Sequence, residues 1–254
     1  MPKQAQFPVK AAATSFRIIE TLRALDGAGV AEVADELDMP KSTVHDHLKT
    51  LTDIEYLVNI DGTYYVGARF LELGGYARSR MKLYRVASPE IKKLAEKTGE
   101  HANLLIEEHG MGVFLYKVKG EEAVQLDTHV GMRVHLHTAA LGKAILAKLP
   151  EEHVDAIIDR RGLPGVTQKT ITDTDELKEQ LETVRERGYA IDDEERVRGM
   201  RCVAAPICDP SDTPLGAISV SGPTNRFDGE VFEDRIPKSV LSAANVVEVN
   251  MTYS

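Results

Sequence analysis

The chain of 254 residues contains no tryptophan and only two cysteines, Cys202 and Cys208. These cysteines are six residues apart in a run that is predicted to be extended. A separation of about 20 Å follows, which a disulfide cannot span. The shortage of cysteine excludes a small domain held together by disulfides and favours reduced thiols.

Long apolar runs are missing as well. No uncharged stretch approaches the roughly 18 residues that a membrane-spanning helix needs. The first seven residues, MPKQAQF, lack the apolar core of a secretion signal. We therefore expect a soluble, cytoplasmic protein that has no membrane partner.

Positive charge is scarce in this chain. Lysine and arginine total 31 against 40 acidic residues, a net charge of −9. This balance excludes a protein that coats nucleic acid non-specifically, so any nucleic-acid contact must be local. The first 19 residues carry Lys3, Lys10 and Arg17 and no acidic residue, which indicates a basic arm. Hydrophobic residues make up 43% of the chain, enough for one large or two small folded domains.

Three short helices and a hairpin are predicted in the N-terminal third. The first helix has an apolar stripe at three-residue steps, formed by Phe16, Ile19, Leu22 and Leu25. A second helix covers residues 30–37. A third begins near Ser42 with Val44, Leu48 and Leu51 turned inward. Asp61-Gly62 between two β-prone runs favours a tight hairpin turn. This order predicts a winged helix-turn-helix, with a protein-binding module as the alternative.

The rest of the chain is predicted to fold as an antiparallel sheet with helices packed on it, an α+β domain. A linker helix over 69–84 is expected to be interrupted at Gly74-Gly75, and Pro89 is expected to start the next helix. The predicted strands are 102–107, 113–117, 123–126, 133–136, 189–191, 200–207 and 215–220. The predicted helices are 138–149, 151–159, 175–187 and 231–249.

Short motifs in a fixed order connect both parts of the chain to a known family. They include MPKSTVH at 39–45, LGKA at 141–144, CVAAPI at 202–207 and SVSGP at 219–223. On these motifs the chain resembles the IclR-type transcriptional regulators over nearly its whole length. One departure is Asp46, which stands where the family more often has arginine.

The resemblance implies three regions. Residues 1–67 would form a winged helix-turn-helix DNA-binding domain, 68–84 a linker and dimerisation helix, and 85–254 a GAF-like effector-binding domain. Such a protein would act as a homodimer or a dimer of dimers on a palindromic operator in double-stranded DNA, as a repressor or an activator. The apolar residues expected to join two copies are Phe70, Leu71, Leu73 and Tyr76.

The expected DNA contacts are polar side chains on the third helix and its neighbours. A helix fits the major groove, where exposed side chains read base edges and basic or hydroxyl groups hold phosphates. Ser42 is expected to serve mainly as the helix N-cap. The alternative for the lysines is an ordinary solvated surface. The candidate set is Arg17, Lys41, Ser42, Thr43, His45, His47, Lys49, Thr63 and Tyr64.

The effector pocket is expected near a helix that opens at Thr138, whose free amides would suit a carboxylate. By resemblance the pocket comprises Leu126, Ala140, Leu141, Asp192, Cys202, Ser219 and Ser221. Ser219 and Ser221 are two apart on a predicted strand and therefore share a face. The alternatives are a buried structural Cys202 and a solvated acidic loop around Asp192. The expected effector is a small organic, sugar or aromatic acid.

Other functions also compete for these residues. A hydrolase or thiol enzyme would use Cys202 or Ser219 as nucleophile with His135 or His137 as base. However, the sequence has no G-x-S-x-G elbow, phosphate loop or dinucleotide fingerprint. The two histidines could instead bind a metal with Asp192 or Cys202, and an interaction scaffold is a third possibility. We expect a regulator with no enzymatic activity, cofactor or metal.

Overall fold

The computed structural model describes residues 7–126 and 128–253, so Lys3 of the expected basic arm lies outside the described residues. The chain divides into two compact units between Ala77 and Arg78. Within the described ranges, no helix is long and apolar enough to cross a membrane. Cys202 and Cys208 are both free thiols.

The N-terminal unit has the predicted three helices and hairpin. Its elements are α1 (Lys10–Ala24), α2 (Val30–Leu37), α3 (Lys41–Asp53), β1 (Leu57–Ile60) and β2 (Thr63–Val66). Asp61 and Gly62 both have positive φ, 51° and 88°, as a tight turn between antiparallel strands requires. The backbones of Ala28 and Tyr64 exchange two hydrogen bonds, which attach the hairpin to the α1–α2 turn.

The predicted inward face of α1 was partly wrong. Phe16 is 63% exposed and Leu25 is 43% exposed, whereas Ile18 is fully buried. Successive residues turn by about 100° around a helix, so residues nine apart lie on opposite sides. The core of this unit therefore takes Ile18, Ile19 and Leu22 from α1 and Val44, Leu48 and Leu51 from α3.

The expected helix breaks around the linker were also wrong. The next helix, α4 (Arg69–Ser79), runs through Gly74-Gly75 without interruption, and α5 (Lys82–Thr98) contains Pro89 in its interior. The apolar face of α5 is buried over its whole length, and packing of such a face contributes more to helix formation than intrinsic propensity does. The break falls at Arg80-Met81 instead.

The C-terminal unit is built on a six-stranded antiparallel sheet, as the α+β prediction required. Its strand order is β5-β4-β3-β8-β7-β6. The strands are β3 (His101–Glu108), β4 (Met111–Val118), β5 (Arg133–Val134), β6 (Ala190–Asp193), β7 (Met200–Cys208) and β8 (Pro214–Pro223). The predicted strand at 123–126 is absent, because that segment is irregular.

Helices cover both faces of this sheet. One face packs α6 (Ala140–Leu146), α7 (Glu151–Arg161) and α8 (Thr174–Arg187). The other packs α5 and α9 (Ile236–Tyr253), which follows a π-helical turn at Val231–Arg235. Alternate residues of β7 serve the two cores, Cys202 and Ala204 on the first and Val203 and Ala205 on the second.

Helix α6 differs from its prediction. It begins at Ala140, while Thr138 belongs to a preceding 3-10 turn, Leu136–Thr138, and donates its hydroxyl to the carbonyl oxygen of His135. His135 and His137 therefore do not alternate along a strand.

Candidate functional sites

The outer face of α3 carries the first candidate site. Its inner residues Val44, Leu48 and Leu51 are buried and fix the orientation of the helix. The polar residues of α3 that remain exposed are Lys41, Ser42, His45, Asp46, Lys49, Thr50 and Asp53. His45 Nδ1 lies 3.6 Å from the Asp46 carboxylate, so the carboxylate offsets part of the positive charge on this face.

The start of α3 is open to an anion. Pro40 occupies the N-cap position without a side-chain hydrogen bond, and the first turn contains no acidic residue. Ser42 lies inside that first turn, so its expected N-cap role was wrong. The first backbone N–H groups and the positive end of the helix dipole can therefore act on a phosphate.

Two further candidates on α3 are less exposed than expected. His47 is half-buried, and its Nδ1 lies 2.8 Å from the Ser15 hydroxyl on α1. Thr43 is also half-buried. The expectation that His47 lies on the outer face was wrong, because its ring connects α3 to α1.

The remaining candidates of this unit lie on α1 and β2. Arg17 is exposed on α1, whereas Thr63 and Tyr64 are half-buried. Tyr64 packs against the core of the unit and pairs its backbone with Ala28. The more exposed aromatic side chain of β2 is Tyr65, which the sequence reasoning missed. Its position next to Tyr64 on a period-two strand was the available signal.

The second candidate site is a small cavity on the α6 side of the sheet. Its volume is about 40 Å³. The lining residues are Asn103, Phe114, Leu126, Thr128, Ala139, Leu141, Asp192, Arg196, Cys202 and Ser221. Five of the seven predicted residues are in this set. Ala140 and Ser219 are fully buried beside it but do not line it.

Strand register explains why distant residues meet here. Asp192 is directly opposite Cys202 on β7, which is directly opposite Ser221 on β8. The Ser221 hydroxyl donates to Cys202 Sγ at 3.2 Å. Three adjacent strands thus place a carboxyl, a thiol and a hydroxyl in one row.

Asn103 organises the serines and was missed by the sequence reasoning. Its Nδ2 donates to the hydroxyls of Ser219 and Ser221, at 3.2 and 3.3 Å. Ser219 therefore holds Asn103 in place from behind the cavity. The available signal was one polar amide in the otherwise apolar central strand HANLLI.

Asp192 is buried, so the solvated-loop alternative is wrong for this residue. Its Oδ1 accepts hydrogen bonds from the backbone N–H groups of Glu195 and Arg196, at 2.7 and 3.3 Å. Burial, reinforced by the nearby Glu195 carboxylate, raises the pKa of Asp192 to about 7. This side chain can therefore gain or lose a proton near neutral pH.

A buried ion pair supports the same loop. Lys143 Nζ on α6 lies 2.6 Å from both carboxylate oxygens of Glu195, and both residues are buried. Burial lowers the pKa of Lys143, while the Glu195 carboxylate opposes that shift. The LGKA motif thus supplies the cation that compensates Glu195 inside the domain.

Arg196 brings positive charge to the cavity. Its guanidinium lies 5.3 Å from the centre of the Phe114 ring, an arrangement that favours a cation. Neither Arg196 nor Phe114 was predicted from the sequence. Arg196 follows the acidic run at 192–195, and no motif in the sequence distinguished it from the exposed arginine at 198.

The residues proposed for catalysis lack the required environment. Burial, with a smaller contribution from Asp192, raises the pKa of Cys202 to about 12, so its thiolate is suppressed. His135 and His137 line a different cavity, and His137 Nε2 lies 3.1 Å from the carbonyl oxygen of Pro164. In the described ranges, no three His, Cys, Asp or Glu side chains form a metal-binding group.

Models of one protein family match both parts of the chain. Residues 76–249 match the family described as "Bacterial transcriptional regulator IclR C-terminal", and residues 11–60 match "IclR helix-turn-helix domain". The chain belongs to the IclR family. IclR-family proteins are transcriptional regulators and not enzymes, so this chain is a DNA-binding transcriptional regulator. The hydrolase and thiol-enzyme alternatives were wrong.

Individual relatives cover almost the whole chain. "Probable HTH-type transcriptional regulator ArcR" of Halobacterium salinarum is 38% identical over 241 residues, 93% of this chain and 92% of that protein. The Thermotoga maritima IclR structure is 27% identical with a TM-score of 0.76, covering 96% of this chain and 99% of that one. An IclR homolog from Microbacterium hydrocarbonoxydans, solved with 4-hydroxybenzoate, is 24% identical with a TM-score of 0.80, covering 96% and 100%.

Proposed function

We propose that this IclR-family regulator binds a palindromic operator as a homodimer or a dimer of dimers, and that a small carboxylate-bearing metabolite in the cavity changes its operator affinity. In this proposal residues 1–67 read DNA, 68–84 link and dimerise, and 85–254 form a GAF-like effector domain. The main support for this proposal is the cavity of the C-terminal unit, which combines Arg196, the titratable Asp192 and apolar walls in a DNA-binding regulator.

The DNA-binding part rests on the exposed face and open start of α3. Lys41 and Lys49 are exposed at opposite ends of that face. Each lysine that neutralises a phosphate increases the DNA affinity by releasing counterions, and it adds about −0.9 to the slope of log K against log salt. Ser42 and His45 lie between these lysines and face outward, where they are available to base edges.

Replacing both Lys41 and Lys49 by Ala tests this surface. In gel-shift titrations at several salt concentrations, we expect this variant to bind DNA from upstream of its own gene at least about 10-fold more weakly. The slope of log K against log salt should be smaller by about 1 to 2. The matched control is Lys92→Ala, an exposed lysine on α5. If the double variant bound DNA as tightly as the natural protein, this face of α3 would not be part of the DNA interface.

Dimerisation is supported by the surface of α4. This helix contains no buried residue, and Leu71, Leu73 and Tyr76 are all more than half exposed. Phe70 instead packs edge-on against the Tyr56 ring, at 5.0 Å between ring centres, so it serves the N-terminal unit. A dimer carries two copies of the proposed recognition helix α3. Linking them raises avidity by about 10²- to 10⁴-fold, which compensates for weak DNA binding by one copy.

The effector class follows from the groups around the cavity. Arg196 suits a carboxylate, the hydroxyl of Ser221 and the amide of Asn103 suit polar substituents, and Leu126 and Leu141 supply apolar walls. The 4-hydroxybenzoate complex of the Microbacterium homolog supports an aromatic or comparable organic acid.

A ligand of that size needs more room than the present cavity gives. One water takes up about 30 Å³ of liquid, so a cavity of about 40 Å³ must widen to hold an acid. The irregular residues 123–126 and 128–132, which precede β5, can provide that change. Its contacts with the sheet include His101 Nε2 to the carbonyl oxygen of Val124, at 2.6 Å, and Lys117 Nζ to that of Thr128, at 3.0 Å.

A thermal-shift screen of organic, sugar and aromatic acids tests this part. A binding acid at 100 times its Kd would stabilise the protein by about 2.7 kcal/mol. We expect Arg196→Ala to weaken binding of that acid about 10- to 100-fold, since charge-assisted hydrogen bonds contribute about 1.5–3 kcal/mol. The exposed Arg198→Ala is the control. Equal losses in the two variants would contradict the assignment of Arg196.

A further inference from the structure

A second, larger cavity lies on the other side of the sheet of the C-terminal unit, beside α5 and α9. Its volume is about 540 Å³, within the usual range of about 300–1,000 Å³ for small-molecule sites. None of the residues of the effector cavity line it. The π-helical turn Val231–Arg235 contributes to its wall, and such turns occur frequently at functional sites.

An incompletely paired carboxylate lies in this cavity. Glu100, immediately before β3, is 4% exposed. Its Oε1 accepts from Arg226 Nε at 2.5 Å, whereas its Oε2 is buried and has no hydrogen-bond partner in the described part of the chain. Buried polar atoms in folded proteins nearly always have a partner, so this oxygen can accept a hydrogen bond from a donor outside the described residues, such as a ligand.

The other charges around the cavity favour an anionic group on the same ligand. Four basic and three acidic residues line it, namely Lys97, Arg226, Arg235 and Lys238 against Glu100, Glu122 and Asp234. Lys238 is paired with Asp234 at 2.6 Å, and Arg226 with Glu100. Lys97 and Arg235 are exposed at the cavity and form no ion pair with the described residues. They can attract an anion from solvent.

Apolar side chains complete the lining. Phe227 and Ile236 are buried, and Val231 is half-buried between them and solvent. The cavity thus combines a buried acceptor, an exposed pair of cations and an apolar wall. Arg226 already pairs with Oε1, so the open position is Oε2. An ammonium group can donate to this oxygen, and a hydrogen bond between two ions is stronger than a neutral one.

We propose that this cavity is a second ligand site, which binds a small amino acid with an apolar side chain. Its ammonium group would donate to Glu100, its carboxylate would face Lys97 and Arg235, and its side chain would contact Phe227 and Ile236. This site does not depend on the proposed effector or on the DNA-binding surface.

Isothermal titration of the full chain with L-leucine and L-phenylalanine tests the proposal, with 4-methylpentanoate and 3-phenylpropanoate as matched acids that lack the amine. We expect an amino acid to bind at least 10-fold more tightly than its matched acid. Glu100→Gln should remove most of that preference, whereas Ser221→Ala in the effector cavity should leave it intact. Equal binding of amino acid and acid, or no heat from either amino acid, would overturn the proposal.

A second variant separates ligand binding from folding. Lys97 and Arg235 are exposed, so the double variant K97A/R235A should keep the fold even if Glu100→Gln does not. We expect this variant to bind the amino acid about 5-fold more weakly at low salt and with less salt dependence. Unchanged binding in K97A/R235A, or loss of amino-acid binding in Ser221→Ala alone, would contradict the assigned cavity.

Discussion

The two units of this regulator present their sites in opposite ways. In the N-terminal unit the candidate side chains stand on the exposed face of one short helix, and the buried face of that helix only orients them. In the C-terminal unit the candidate side chains come from several strands and an irregular segment, and some carry charge away from water.

This difference predicts different responses to substitution. Exposed charges are screened by salt and contribute little to folding, whereas a buried charge must be compensated by a partner. Variants of the N-terminal site should therefore change DNA affinity and leave stability nearly constant. Variants of the C-terminal site should change both stability and ligand binding.

The largest expected effect is in the buried ion pair. Replacing Lys143 by Met leaves Glu195 buried without its cation, which should cost about 3–5 kcal/mol of unfolding free energy in urea titrations. The double variant K143M/E195M should recover most of that loss. The control Lys169→Ala breaks an exposed pair with Glu194 and should cost under about 1 kcal/mol. Similar losses in K143M and the control would contradict the distinction between buried and exposed charges on which the contrast rests.

Asp192 should give the C-terminal unit a distinctive pH dependence. Its folded-state pKa, about 7, lies above the ordinary value of 3.8, so the folded state retains a proton that the unfolded state loses. The associated stability is fully present below pH 4 and is lost as pH rises towards 7, by about 3–4 kcal/mol.

Asp192→Asn tests that dependence, because its amide oxygen can still accept from the two backbone N–H groups. We expect the unfolding free energy of the variant, relative to the natural protein, to rise by about 3–4 kcal/mol between pH 4 and pH 7. Asp155→Asn is the comparison, because Asp155 is a half-exposed aspartate of α7 that is paired with Lys178. A constant difference between Asp192→Asn and the natural protein would show that Asp192 is ionised throughout.

A smaller effect is expected on α3. The Asp46 carboxylate is 82% exposed and would repel phosphates near the reading face. Asp46→Asn should tighten binding to upstream DNA about 2- to 5-fold at low salt, with less gain at high salt. Asp53→Asn, at the far end of the same helix, should change the affinity less. Weaker binding in D46N would instead mark Asp46 as a base contact, since Asp can accept from cytosine N4.

The smallest expected effect concerns α1. Phe16→Ala should change the unfolding free energy by less than about 0.5 kcal/mol, because Phe16 is exposed. Leu22→Ala on the same helix should cost about 2–5 kcal/mol, because Leu22 is buried. Thermal or urea unfolding of the two variants measures the contrast. A large loss of unfolding free energy in Phe16→Ala would show that Phe16 belongs to the core.

Local patterns predicted most of the elements. The apolar spacing of α2 and α3 and the Asp61-Gly62 turn were sufficient for the N-terminal fold, because helix period and turn chemistry act over a few residues. Gly74-Gly75, Pro89 and the segment 123–126 were misinterpreted, since their conformation depends on packing or on missing strand partners. Phe16 was misplaced because three-residue steps drift around a helix.

Local residue patterns were enough to predict the order of the elements and the exposed polar face of α3. The short motifs identified the family and five of the residues that line the effector cavity. Tertiary structure decided that Asp192 is buried, that Asn103 and Arg196 belong with it, and that Glu100 lies in a second cavity. Cross-strand register joins residues up to 120 positions apart, such as His101 and Ser221, so only the assembled sheet decides which charged groups are buried.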